Sequence, residues 1–286
     1  MIKINELYLR NKEETLKYLR EAWNKNYKSL ENIFEFNRII NPGKKYLPPV
    51  GICLRNSENK IVGFLGFLSH QSKIHNGRWL INLTSWIVNS EYRNYSLKLI
   101  FYILKDKKKI ITNFSATKEV EIILSTLGFK QIDDSENTYF TLIPSIKSLV
   151  IRKKIFTGKN AINLFNKTKH KKIMEEHMKI GCLILSIGVD QSKNLGIILL
   201  KTEKYLQILY LTDPKLIQIP KIWNFLCKTC LIHWKFLYIK LDGRYAPNFT
   251  KPYKKKMRKM FVFGLNKNEL IPSRAYSEPI QKYGNF

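Results

Sequence analysis

The sequence is poor in acidic residues. Its 286 residues include 22 Asp and Glu against 50 Lys and Arg, which gives a formal net charge of +28. A chain this basic attracts polyanions, so the charge favours nucleic acid, anionic lipid headgroups and phosphorylated substrates as partners. AT-rich coding also enriches a chain in Lys, Asn and Ile regardless of function, and the basic residues here are spread along the whole sequence. The charge alone therefore does not choose among these partners.

Long apolar runs are absent as well. No stretch approaches the roughly 18 uncharged apolar residues of a membrane span, and the longest pieces, such as GCLILSIGV, are typical of buried strands. The first residues, MIKINELYLRNKEE, lack the apolar core of a signal peptide. With 44% hydrophobic and 13% aromatic residues the chain is globular. We expect a cytoplasmic protein, either free or held peripherally at the inner membrane surface.

Cysteine is scarce, with four residues that suggest no disulfide framework. Cys227, Cys230 and His233 form a C-x-x-C-x-x-H pattern, but a zinc site needs about four ligands and no second Cys/His pair follows at ligand spacing. Residues three apart on a helix share one face, so the pattern is also that of a packed helix. We expect small buried cysteines and no metal site.

Hydrophobic periodicity predicts an α/β fold of two similar halves. In the first half we expect two helices, an antiparallel three-strand meander, and then helix, strand, helix and strand (11–27, 29–40, 50–56, 61–71, 78–88, 97–104, 108–116, 118–128 and 137–144). The second half repeats the strand-strand-strand-helix-strand order (181–189, 194–202, 205–213, 221–233 and 235–242). We therefore expect two domains, 1–147 and 148–286, each with a mixed, mostly antiparallel sheet flanked by helices.

The stretch WIVNSEYRNYSLKLIFYIL, residues 86–104, turns from a strand into a helix through a polar corner. A helix N-terminus has unpaired N–H groups and a positive dipole end, and a nearby arginine adds charge-assisted hydrogen bonds. The corner therefore predicts a pyrophosphate cradle, although an ordinary strand-to-helix turn with a surface arginine would read the same way. Its expected contact residues are Ile87, Val88, Arg93, Asn94, Tyr95, Ser96, Leu97 and Lys98.

Together these features resemble a GCN5-related N-acetyltransferase (GNAT) domain over about residues 5–145. The resemblance rests on the element order, the IVGF strand, the V-x-x-E-Y-R corner and the late LGF. It implies that the corner holds the pyrophosphate of acetyl-CoA or another acyl-CoA, that the preceding strand pairs with the pantetheine arm, and that no metal takes part. Against the family motif R/Q-x-x-G-x-G/A, Arg93 matches the arginine, while Ser96 and Lys98 stand in place of two glycines.

A subgroup of acyltransferases linked to surface-polysaccharide synthesis is similar in further respects. It shares a Y-R-x-x-S-L corner, a second half of the same fold and a tail like RAYSEPI, residues 274–280. This likeness implies a small acceptor, such as a sugar. The second half also has Asp213 and Pro220 where its own corner would lie, and neither suits a pyrophosphate. We therefore expect one coenzyme A site, in the first half, with the second half as the acceptor wall.

Acyl transfer from a thioester needs an oriented acceptor, a base for its proton and donors to the carbonyl oxygen. The resemblance places the acetyl group where strands 78–88 and 108–116 part. Ser85 and Asn113 are the catalytic candidates there, with Trp86 and Ser115 shaping the site.

The acid and the base are less well defined. From the second half, His177 can titrate near neutrality and Glu278 can be tuned by burial, so both are candidate bases. In many GNATs a tyrosine on the helix before GF protonates the leaving thiolate, and here that position is Leu124. The catalytic acid is therefore not identified.

The sequence thus favours an acyl-CoA-dependent acyltransferase that modifies an amine or hydroxyl of a sugar or similar small molecule. Two alternatives remain open. The charge and the two-half architecture are also typical of a tRNA-dependent aminoacyl transferase of the double-GNAT type, because a tRNA donor supplies many phosphates. The replaced glycines and Leu124 suit a non-catalytic basic binding module.

Overall fold

A computed structural model describes residues 1–22, 27–40, 48–72, 75–142, 154–166, 168–189 and 193–265. These residues form twelve strands: β1 (Lys3–Leu7), β2 (Gly51–Arg55), β3 (Ile61–Ser72), β4 (Arg78–Val88), β5 (Lys109–Asn113), β6 (Lys130–Phe140), β7 (Ile155–Thr157), β8 (Leu183–Gly188), β9 (Asn194–Lys201), β10 (Leu206–Leu211), β11 (Tyr238–Asp242) and β12 (Lys254–Phe263). The α-helices are α1 (Lys12–Ala22), α2 (Tyr27–Ile40), α3 (Ser96–Leu104), α4 (Lys118–Thr126), α5 (Gly158–Asn163), α6 (Lys169–Lys179) and α7 (Pro220–Trp234). The predicted α/β fold class is confirmed.

The helix ends show how local sequence sets these elements. Gly128 has a φ of 82°, a conformation that favours glycine, and it stops α4 at the end of the predicted range 118–128. Helix α2 begins at Tyr27, so the predicted start at residue 29 was two residues late. Among the described helices none is long and apolar enough to cross a membrane.

All twelve strands belong to one sheet, in the order β1-β2-β3-β4-β5-β12-β6-β11-β10-β9-β8-β7. Strands β2, β3 and β4 form the predicted antiparallel meander. Two neighbouring pairs are parallel, β4 with β5 and β10 with β11. In each half the parallel pair follows a run of antiparallel strands. The two halves therefore repeat the same strand arrangement, as predicted.

The two halves of the chain exchange strands at the centre of this sheet. We call residues 1–142 the N-terminal half and residues 154–265 the C-terminal half. Strand β12 lies between β5 and β6, and β6 lies between β12 and β11. Each half therefore places its last strand between the last two strands of the other half. The predicted domain boundary after residue 147 lies outside the described residues.

The centre of the sheet holds the largest correction to the sequence-based elements. The run KPYKKKMRKM, residues 251–260, lies beyond the last predicted strand, but most of it forms β12. In β12, residues 254–259 are basic or exposed, whereas Met260, Phe261 and Val262 are buried. Strand β6 begins at Lys130, not at residue 137. Strands β1 and β7 and helices α5 and α6 were not predicted.

The core continues across both halves. Helices α1 and α2 share one hydrophobic cluster with α5 and α6, through residues such as Leu16, Phe34, Ile162 and Met174. A second cluster joins α3 and α4 to Phe261 of β12. Helix α7 packs in a third cluster with the strands of the C-terminal half. The C-terminal strand is thus part of the packing beneath α3 and α4.

Candidate active site

Strands β4 and β5 separate after a short parallel contact. They pair from Trp79 opposite Lys109 to Asn82 opposite Thr112, and no farther. Strand β4 continues to Val88. Beyond Asn82 the backbone of β4 on its β5 side has no strand partner among the described residues. An extended ligand can therefore hydrogen-bond to this edge, as a strand would.

The parting opens into a cleft of about 420 Å³. It is lined by Leu65, Leu83, Thr84, Ser85, Trp86, Ile87, Asn113, Ser115, Ala116, Thr117 and Val120. The four residues predicted to surround an acetyl group, Ser85, Trp86, Asn113 and Ser115, therefore lie together. Ile87 of the predicted cofactor set joins them. Their catalytic and binding roles remain predictions.

A β-bulge shapes the floor of this cleft. Leu65 of β3 pairs with Trp86, while Phe67 pairs with Leu83, so two residues of β4 lie opposite Gly66 alone. Those residues are Thr84 and Ser85. A side chain at position 66 would bring its Cβ within 2.7 Å of the Phe64 ring. The glycine is thus required by close packing beside the bulge.

Thr84 contributes an unpaired polar group to the cleft. Its Oγ1 is buried and has no hydrogen-bond partner among the described residues. Leaving a buried hydroxyl unpaired costs about 1–3 kcal/mol, so such a group often awaits a ligand or water. Sequence reasoning missed Thr84, which directly precedes the predicted Ser85.

The opposite wall is held by a local turn. The backbone N–H of Ser115 donates to Oδ1 of Asn113 at 2.9 Å, a turn that asparagine side chains favour after a strand. Asn113 is buried. Because its oxygen is engaged, its amide nitrogen is the group that can donate to a ligand. Thr117 then caps α4 by accepting from the N–H of Val120 at 3.5 Å, a long bond.

No described residue that lines the cleft is an acid, a base or a tyrosine. Leu124, at the position where the resemblance expects a proton donor, is fully buried in the cluster with Phe129 and Phe261. The cleft walls therefore offer hydroxyl, amide and apolar contacts.

The corner after β4 differs from the predicted geometry. A 3-10 helix, Ser90–Tyr95, precedes α3 and runs directly into it. Tyr95 and Ser96 both have helical backbone angles, and the N–H of Ser96 donates to the carbonyl oxygen of Arg93. The amide of Ser96, predicted to face a phosphate, is thus already bonded. The sequence has no glycine or side-chain cap here that would separate the two helices.

The side chains of the corner keep their positive charge exposed. Arg93, Asn94, Tyr95 and Lys98 face solvent. Arg93 forms no ion pair within the described parts of the chain, and Nζ of Lys98 lies 4.8 Å from the centre of the Tyr95 ring. These charges suit a phosphate. Binding of pyrophosphate by Arg93, Ser96 and Lys98 remains a prediction.

The parallel pair of the C-terminal half parts in the same way, but its opening is bridged. Strands β10 and β11 pair only at Leu206–Ile239 and Gln207–Lys240. Nε2 of Gln218 then donates to the carbonyl oxygens of Tyr245 at 3.2 Å and Ala246 at 2.9 Å. Its Oε1 accepts from the N–H of Asn248 at 3.0 Å. One side chain thus ties together the segments that follow the two strands.

The corner of the C-terminal half agrees with its sequence. Oδ1 of Asp213 accepts from the N–H of Lys215 at 3.0 Å and caps a 3-10 helix, Pro214–Gln218. Helix α7 begins only at Pro220. A carboxylate occupies the place where an anionic ligand would need donors.

The two candidate bases from the second half do not join the cleft. His177 is fully buried in α6, and its Nδ1 lies 2.7 Å from the carbonyl oxygen of Ile173. It does not line the cleft. Glu278 lies outside the described residues.

The cysteine pattern on α7 is part of the core. Cys227 and Cys230 are buried among apolar residues, as the packed-helix interpretation expects. Burial raises the pKa of the Cys227 thiol to about 12, which keeps it protonated and unreactive. His233 is exposed, so the third residue does not share their buried face.

Comparison with known proteins identifies the fold. No family model and no curated protein matches the sequence. Among solved structures, a GCN5-related N-acetyltransferase from Anabaena variabilis superposes with a TM-score of 0.58 at 13% identity, over 92% of this chain and 72% of that one. One from Kribbella flavida gives 0.56 at 10% identity, over 92% and 70%.

A tandem GNAT protein from the clavulanic acid biosynthesis pathway is similar over nearly the whole of both chains. Its TM-score is 0.52 at 9% identity, with 94% of this chain and 100% of that chain covered. At such low identity these similarities establish the fold and no more. The predicted tandem GNAT fold is confirmed.

Proposed function

We propose that this protein transfers an acyl group from an acyl-CoA to an amine or hydroxyl of a small acceptor, such as an amino sugar. The observation that carries the proposal is the cleft between β4 and β5, where Oγ1 of Thr84 is buried without a partner. The GNAT fold, shared with N-acetyltransferases, supports acyl transfer in general. The cleft lies where that fold is expected to hold its thioester.

The residues of the cleft fit an acyl-CoA in two of its parts. The unpaired edge of β4 from Leu83 to Val88 suits an extended pantetheine arm. Arg93 and Lys98 supply positive charge to phosphates just beyond the end of β4. The fit of the pyrophosphate depends on these side chains, because the N–H of Ser96 is engaged.

The chemistry asks little of the protein. The acceptor nitrogen or oxygen attacks the thioester carbon, the carbon–sulfur bond breaks, the acceptor loses a proton and the sulfur gains one. In this proposal the hydroxyl groups of Thr84 and Ser85, two residues that line the cleft, donate to the carbonyl oxygen as its negative charge grows. With leucine at position 124, the proton that reaches sulfur comes from water or from the acceptor itself.

The direct experiment combines binding and turnover. The purified protein is titrated with coenzyme A by calorimetry and then incubated with acetyl-CoA and a set of amines and hydroxyl compounds, including glucosamine, while thiol release is followed. We expect binding and acceptor-dependent thiol release. Ala116→Trp fills the cleft and should abolish both, whereas Ile122→Trp, on the exposed face of α4, should change neither.

Each outcome has a distinct meaning. Binding without thiol release from any acceptor would indicate a non-catalytic module that uses the same cleft. The absence of coenzyme A binding at millimolar concentration would overturn the proposal. Equal loss in both tryptophan variants would show that the cleft is not the donor site.

A further inference from the structure

An apolar patch lies exposed at one end of the central strands. Phe140 at the end of β6, Leu142 just after it, Leu237 just before β11 and Tyr253 just before β12 form what we call the edge patch. These four residues are 41%, 60%, 47% and 62% exposed, in that order. Soluble proteins seldom leave several large apolar side chains together in water unless a partner covers them.

The edge patch is built on fixed backbone. The ring of Phe140 lies 4.5 Å from that of Tyr253 and 4.9 Å from that of Tyr238, measured between centroids. Thr141 joins the ends of two strands, since its N–H donates to the carbonyl oxygen of Leu237 at 2.9 Å and its hydroxyl to that of Phe236 at 2.7 Å. Leu237 is therefore part of hydrogen-bonded chain, and Leu142 directly follows the bonded Thr141.

The surroundings of the edge patch are basic. The three segments that carry it, residues 138–142, 235–240 and 249–256, contain six lysines and no aspartate or glutamate. Lys235, Lys251, Lys254 and Lys255 are exposed. Lys235 adopts a left-handed conformation at the end of α7, directly before the strand segment. Lys240 pairs with Glu136, whereas Lys235, Lys251, Lys254 and Lys255 form no ion pair among the described residues. The apolar centre is thus flanked by positive charge.

From this arrangement we infer that the edge patch docks on the surface of an anionic lipid bilayer. Aliphatic and aromatic side chains enter the boundary between headgroups and acyl chains, while lysines meet the lipid phosphates. A single-stranded nucleic acid would instead use open ring faces for base stacking. Here the rings of Phe140, Tyr238 and Tyr253 contact one another, and Leu142 and Leu237 offer nothing to stack on.

The inference is independent of the proposed acyl transfer, because the edge patch shares no residue with the cleft between β4 and β5. It also differs from an effect of net charge alone. A bare charge of +28 would hold the chain to anionic vesicles through any exposed lysines. If the edge patch docks on the bilayer, a few identified residues should account for most of the affinity for anionic vesicles.

The test is co-sedimentation of the purified full chain with large vesicles. Vesicles of phosphatidylcholine alone are compared with vesicles containing about a third phosphatidylglycerol. We expect binding only to the anionic vesicles. Lys254→Glu with Lys255→Glu should weaken it roughly 30-fold or more, from about 1 kcal/mol per lysine near the surface. Leu142→Ser with Leu237→Ser should weaken the binding that survives high salt.

Matched controls separate docking from charge. Lys107→Glu with Lys108→Glu makes the same charge change in the exposed turn before β5, and should leave most of the binding intact. Ile122→Ser removes an equally exposed aliphatic side chain elsewhere. Thermal melting confirms that each variant is folded.

Three results would overturn the inference. They are equal loss in the two charge-reversed pairs, no effect of Leu142→Ser with Leu237→Ser, and no binding to anionic vesicles. A single-stranded oligonucleotide that loses affinity in the Lys254/Lys255 variant, while vesicle binding persists, would assign the edge patch to nucleic acid instead.

Discussion

At the β4–β5 parting the sheet opens into a cleft of about 420 Å³, whereas at the β10–β11 parting Gln218 bridges the segments that follow the strands. Both partings arise from the same topology, a short parallel contact between strands that then diverge. The N-terminal parting contains a buried hydroxyl without a partner, and the C-terminal one contains a glutamine with three hydrogen bonds. The same topology creates both openings, and a few side chains leave one open and bridge the other.

The largest expected effect concerns which corner binds the donor. Calorimetry should give one coenzyme A per chain. Ser96→Glu places a negative charge beside Arg93 and Lys98 and should weaken binding roughly 100-fold, because two favourable charge interactions are offset. Lys215→Glu makes a similar change at the corner of the C-terminal half and should leave binding unchanged. Two sites, or undiminished binding with glutamate at position 96, would show that the comparison assigns the donor to the wrong half.

Opening the C-terminal parting should cost stability without creating a site. Gln218→Leu keeps the side-chain size but removes three hydrogen bonds, and the carbonyl oxygens of Tyr245 and Ala246 lose their donor. We expect the free energy of unfolding in urea to fall by about 2–3 kcal/mol. Coenzyme A stoichiometry should stay at one. An unchanged unfolding midpoint would mean that Gln218 does not hold this parting closed.

Two threonines should respond to valine in opposite directions. Thr84→Val removes an unpaired buried hydroxyl and should raise the free energy of unfolding by about 1 kcal/mol, while acyl transfer falls roughly tenfold. Oγ1 of Thr212, at the end of β10, accepts from the N–H of Gly196 at 2.9 Å. Thr212→Val should therefore lower stability by about 1 kcal/mol. Equal losses of stability in both variants would contradict the difference between an unpaired hydroxyl at Thr84 and a hydrogen-bonded one at Thr212.

The smallest expected effect is a dependence of the free energy of unfolding on pH that arises from His170 in the C-terminal half. Nδ1 of His170 lies 2.7 Å from the hydroxyl of Tyr210, and burial, with a contribution from Lys169, lowers the pKa of His170 below its usual 6.5. The unfolded chain then binds a proton that the folded chain resists, so the free energy of unfolding falls as pH drops below about 6.5. His170→Gln should flatten this part of the profile. An unchanged slope would show that other groups govern it.

Much of the open cleft was predictable through the family resemblance, which implied that strands 78–88 and 108–116 part there. Ser85 lies within β4 and Asn113 ends β5, and the structure brings both to one cleft. Thr84 was missed because an unpaired hydroxyl depends on the surrounding backbone, which no local pattern reports. The bond from Ser96 to Arg93 was missed for a similar reason, since the corner sequence permits both a loop and a 3-10 turn.

No local sequence pattern indicated that the two halves exchange strands. The lysine run before Met260 indicates solvent, yet β12 occupies the centre of the sheet, because its lysines lie at the exposed end and only its last residues enter the core. Glu136 helps to hold the exposed end, as its carboxylate lies 3.0 Å from Nζ of Lys240 and 3.2 Å from Nη2 of Arg258. Pairing across more than a hundred residues is decided by the whole fold, not by propensity.

That exchange also constrains the order in which the chain can fold. Strand β12 fills the gap between β5 and β6, so during synthesis from the N-terminus those two strands wait for a partner made more than a hundred residues later. Until it arrives, two strand edges that are paired in the finished sheet are open to other chains. Contacts this distant in sequence also make folding slow. A nascent chain that has completed the open parting of β4 and β5 still depends on its last described strand to close the sheet beside it.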